Sequence, residues 1–87
     1  MPWIFPGELP EHFLNHLKDR YIKKEMPASE IEKVEEWLAG YPEVSDGLWC
    51  GVFQSGWMIV GKGVYPETIL KPGNTPYEGS DVFDIDM

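Results

Sequence analysis

The chain has 87 residues, enough for one domain with a small core in which each large aromatic counts. Seven Lys and Arg against fifteen Asp and Glu give a formal net charge of −8, which repels nucleic acid and anionic membrane surfaces and favours basic partners or cationic ligands. The single cysteine, Cys50, excludes an internal disulfide and a multi-cysteine zinc site, and it fits a reducing cytoplasm.

Residues 1–9 read as an extended apolar arm. Trp3, Ile4 and Phe5 stand between Pro2 and Pro6, which forbid a helix there and lay the segment on the core or on a sheet edge. The opening MPWIFPGELP lacks the basic region and apolar core of a signal peptide. No run approaches the roughly 20 apolar residues that span a bilayer.

Residues 10–40 read as a helical pair. In the first helix, 10–24, Pro10 suits the first helical position and Glu11 suits the positive end of the dipole. Phe13, Leu14, Leu17 and Tyr21 form one apolar stripe, opposite His12, His16, Asp19 and Lys23. Pro27 stops this helix. In the second, 29–39, Ser29 with Glu32 matches a capping box. Ile31, Val34 and Leu38 supply its stripe, with Trp37 at the margin, and Gly40 ends it. Glu32, Glu35 and Glu36 gather on one exposed side.

Residues 47–64 read as a β-hairpin with a two-residue loop, Ser55-Gly56. That loop sets Phe53 opposite Met58 and Val52 opposite Ile59. One face then carries Leu48, Cys50, Val52, Trp57 and Ile59, and this is the expected core face, with Gly61 and Gly63 admitting a helix backbone. The other face carries Trp49, Phe53, Met58 and Val60 and needs a cover: the tail, a second copy, a partner or a ligand. A one-residue change in loop length would move every pairing. Residues 65–87 are a Pro/Gly-rich tail, with a short extended piece at Thr68–Leu70 and an edge strand at 82–86 guarded by Asp84 and Asp86.

The chemistry-bearing residues form no strong motif. His12 and His16 stand four apart on a helix with Asp19 a turn on, so they are the only candidate metal ligands. The segment HFLNH lacks the glutamate of the zinc-protease motif, and the group reads as a solvated polar face. Cys50 lies mid-strand in an acidic chain and reads as a buried, inert thiol. Gly61-Lys62-Gly63 lacks the length and the hydroxyl residue of a phosphate loop. Glu78, Asp81, Asp84 and Asp86 do not follow the EF-hand spacing.

The expected fold is therefore a single α+β domain, 1–87, with two N-terminal helices packed on a small antiparallel sheet built on the central hairpin. No cofactor and no catalytic role are expected. The expected function is a non-enzymatic protein-binding module, an antagonist or immunity-type blocker of a basic surface, in the cytoplasm. Glu32, Glu35 and Glu36 would meet the partner, joined by Trp49, Phe53 and Met58 if the second hairpin face is open. The alternative is a small-molecule binder that uses this aromatic face, as a homodimer with the pocket at its interface.

Overall fold

Proline decides where both helices begin. A computed structural model describes residues 3–5, 7, 9–23 and 25–86. In it α1 (Glu11–Ile22) follows Pro10 and α2 (Ala28–Ala39) follows Pro27. Each proline holds φ at −61° with an extended ψ, so its carbonyl is aimed into the first turn. Pro10 O accepts from the amides of Phe13 and Leu14, and Pro27 O from those of Glu30 and Ile31. Neither helix has a side-chain cap. Ser29 lies inside α2, so the expected capping box does not form. Pro2, Pro6 and Lys24, which figure in the expected arm and first helix, lie outside the described residues.

Four strands follow: β1 (Leu48–Phe53), β2 (Met58–Lys62), β3 (Tyr65–Leu70) and β4 (Asp81–Ile85). Their order in the sheet is β3-β2-β1-β4. The fold is α+β, with the helices first and the sheet after. The sheet is mixed rather than antiparallel, because β4 runs parallel to β1, with Val52 opposite Asp84. A full strand, β3, also stands where the sequence suggested only a short extended piece. Pro66 is tolerated in it because β3 is an edge and its ladder with β2 is irregular at Val60/Gly61.

The hairpin register differs by one residue from the expectation. The loop is Gln54-Ser55-Gly56: the Phe53 amide donates to Trp57 O at 2.8 Å, and the Gly56 amide to Phe53 O at 2.9 Å. A two-residue hairpin loop would need a positive φ at Ser55, whereas here only Gly56 takes one, at +98°. Glycine in the last loop position selects the three-residue form. Val52 therefore pairs with Met58, Gly51 with Ile59 and Cys50 with Val60.

That shift turns β1 over relative to the expectation, while the β2 residues keep their faces. Trp49, Phe53, Trp57 and Ile59 join the main core, beside Phe13 and Leu17 of α1, Val34 and Leu38 of α2, and Ile4 of the arm. Trp37 of α2 lies edge-on to Trp49 and Phe53, with ring centroids 5.9 and 6.4 Å away, and Phe83 of β4 closes the group at 6.1 Å from Trp37. Gly61 is required here: a Cβ on it would overlap the Trp49 ring, which lies across it and donates Nε1–H to Gly63 O at 2.8 Å. The glycine thus admits a tryptophan rather than a helix backbone. Cys50, Met58 and Val60 form a second buried cluster, flanked by Leu48, Val52 and Leu70. Residues 71–80 carry the chain from the β3 edge to the β4 edge.

The arm packs through Ile4, whose amide donates to Pro42 O at 2.9 Å, and Trp3 bridges to Glu43. Trp3 and Phe5 face outward, and Phe5 meets Tyr41 edge to face at 5.9 Å. Tyr41, just past α2, takes the left-handed backbone expected nearer Gly40, with φ +51°, at a cost of about 1 kcal/mol for a side-chain-bearing residue. Among the described residues no helix is long and apolar enough to cross a membrane.

Candidate functional site

The apolar stripe of α1 divides into two lines, and only one of them finds a cover. Phe13 and Leu17 turn into the core. Leu14 and Tyr21, seven residues apart and so on one side of the helix, remain 45% and 53% exposed, and Ile22 beside them is 63% exposed. On α2 the residues facing this line are Ala28, Ile31, Glu32 and Glu35, which follow the same helical spacing. The two lines bound an open groove of about 440 Å³, with Leu17 and Ile31 in its lining and Lys18 on the α1 bank. A second hollow of about 410 Å³ shares Tyr21 and Ala28 with it and continues round the turn between the helices.

The charges along the groove are uneven. The α2 bank carries Glu32 and Glu35, and among the described residues neither takes part in an ion pair. Asp19 and Glu25, by contrast, are engaged: Asp19 with Lys23 at 3.1 Å, and Glu25 with Arg20 at 3.0 Å and Lys71 at 3.7 Å. Glu30 is 9% exposed and ties the hairpin tip to α2. Ser55 Oγ donates to its Oε2 at 2.7 Å, and Lys33 Nζ donates to its Oε1 at 3.2 Å. Lying in the first turn of α2, Glu30 also meets the positive end of the helix dipole.

The residues expected to meet a partner separate into two groups. Glu32 and Glu35 line the groove, and Glu36 is exposed next to them on α2. Trp49, Phe53 and Met58 are 0%, 2% and 3% exposed, so no partner reaches them in the folded protein. The one-residue shift in register turns Trp49 and Phe53 under the helices and leaves Met58 in the opposite cluster. The aromatic face offered to a small molecule or a second copy is thus filled by the protein's own α1 and α2.

The candidate metal ligands are not brought together. His12 is exposed and Asp19 is paired with Lys23. His16 Nε2 accepts from Arg20 Nε at 3.2 Å and lies 3.1 Å from Thr68 Oγ1, so it fastens α1 to β3. Among the described residues no group of three or more His, Cys, Asp or Glu is placed to hold a metal ion. Cys50 is buried, and that burial pushes its thiol up, away from the reactive thiolate.

Sequence reasoning missed Leu14, Tyr21 and Ile22 as surface residues. The available signal was the width of the α1 stripe: Phe13, Leu14, Leu17, Tyr21 and Ile22 cover more of the helix than one layer of sheet can shield. No family model, no curated protein and no solved structure significantly matches the chain.

Proposed function

We propose that this chain is a non-enzymatic protein-binding module whose partner presents a basic surface, as an antagonist or immunity-type blocker would. The observation that supports this most is the open apolar groove between α1 and α2, flanked by Glu32 and Glu35 in a chain of net charge −8. Exposed apolar patches with polar rims are the usual form of protein interaction sites. Acidic rims speed the approach of basic partners and exclude acidic ones. The single buried thiol suits a cytoplasmic setting.

The test is quantitative affinity capture with two baits, the native chain and a Glu32→Lys/Glu35→Lys/Glu36→Lys variant, each at low and at physiological salt. The native bait is expected to retain basic proteins, less of them at higher salt, and the variant to lose them. Equal retention by both baits would remove the acidic surface from this reading.

A further inference from the structure

We propose that the groove between α1 and α2 is a docking site for an amphipathic helix that carries Lys or Arg along one flank of its apolar stripe. This rests on the protein-binding reading and gives it an occupant. The length fits. Leu14 and Ile22 stand eight positions apart on α1, about 12 Å at 1.5 Å per residue. Helices that lie in grooves anchor through residues i, i+3 or i+4, and i+7, a span of about 10 Å. The groove and its continuation past Tyr21 therefore match one such set of anchors.

The surface chemistry also selects a helix over other occupants. The groove lies between helices, away from the open edges of β3 and β4, and so offers no ladder for an added strand. It is open along its length, and its polar lining residues, Lys18, Tyr21, Glu32 and Glu35, are all exposed, unlike the converging buried groups that orient a small molecule. A second copy would bring another net charge of −8, and a groove-to-groove pair would crowd four carboxylates, Glu32 and Glu35 twice over.

The two banks differ, and this makes the inference specific. The α2 bank is acidic, whereas the α1 bank carries Lys18. A docked helix would turn its Lys or Arg flank to α2 and a neutral or acidic flank to α1. A helix with basic residues on both flanks would meet Lys18 and bind less well. One with acidic residues facing α2 would be rejected.

The experiment uses the full chain and labelled synthetic peptides of about 18 residues, long enough to hold a helix once bound. The panel comprises leucine-striped peptides with one Lys/Arg flank, the same peptides with a Glu flank instead, and versions of identical composition with the stripe scrambled. Binding is read by fluorescence anisotropy and helix formation by circular dichroism. One-flank basic peptides are expected to bind and become helical, and the scrambled and acidic ones to bind at least about tenfold more weakly, equivalent to about 1.4 kcal/mol. Leu14→Asp and Tyr21→Asp, at exposed positions that leave the core intact, should each weaken the basic peptides about tenfold. Glu32→Lys/Glu35→Lys should switch the preference to the acidic flank.

Absence of binding by every striped peptide, or equal binding of striped and scrambled ones, would overturn the groove inference. So would binding that Leu14→Asp and Tyr21→Asp leave unchanged. In each case the broader reading would still stand or fall on the charge-reversed capture. A dimer seen by light scattering and split by Leu14→Asp would assign the groove to self-association and overturn the inference as well.

Discussion

Two regions of this protein carry similar apolar side chains and meet opposite fates. The aromatic face of the sheet, with Trp49, Phe53 and Phe83, lies closed beneath Trp37 and the helices. The line Leu14–Tyr21 on α1 has no such cover, although it belongs to the same stripe as the buried Phe13 and Leu17. The difference is one of geometry rather than composition. A sheet face is flat and can be shielded whole by a layer of helices. A helix is round, so a neighbour on one side leaves the other line of its stripe in solvent. The core is thus decided by register, and the candidate binding surface by curvature.

Substitutions on the two regions should separate widely if this contrast is right. Trp49→Ala removes the ring at the centre of the aromatic group and its hydrogen bond to Gly63, and should cost about 3–5 kcal/mol in urea unfolding. Gly61→Ala drives a methyl into that ring and should cost about 1–3 kcal/mol, with a changed tryptophan emission. Ser55→Ala leaves the shielded Glu30 carboxylate one donor short, and a loss of about 1 kcal/mol is expected from the same unfolding curves. Leu14→Ser and Tyr21→Ser should move stability by no more than about 0.5 kcal/mol, despite the size of the groups removed. Should Leu14→Ser cost as much as Trp49→Ala, the groove would be core and the contrast would be lost.

Much of the fold is legible in the residues, and the misses have physical causes. The helical spacing of Val34 and Leu38 and the apolar runs on either side of Gly56 are local signals, and both elements form where they point. Which glycine takes the positive φ is also local, yet it sets a global quantity: a loop longer by one residue turns every β1 side chain to the other face relative to β2. Strand direction has no sequence period at all, so the parallel pairing of β4 was not readable from Val82-Phe83-Asp84-Ile85. Pro66 hid β3, because a proline is compatible with a strand only at an edge, and edges are assigned by the tertiary fold. For the candidate site, Glu32 and Glu35 were legible as an exposed acidic side. Leu14 and Tyr21 were not, because a stripe shows which residues are apolar and not which of its lines finds a neighbour.

The parallel seam between β1 and β4 has a consequence for the order of events in folding. β1 and β2 meet across a three-residue loop, whereas β4 returns to β1 only after β2, β3 and the link 71–80 have passed. Closing the longer loop carries the larger entropy cost, so β4 is expected to dock last and to open first. Ser45 to Asp81 and Gln54 to Asp86 are the hydrogen bonds that pin its two ends, both at exposed positions. In native-state hydrogen exchange, the β1 amides bonded to β4 should therefore lose protection before those bonded to β2. Once β4 lifts away, β1 is left with a row of unpaired backbone groups. A central strand of the sheet thus depends, along one flank, on the strand expected to open first.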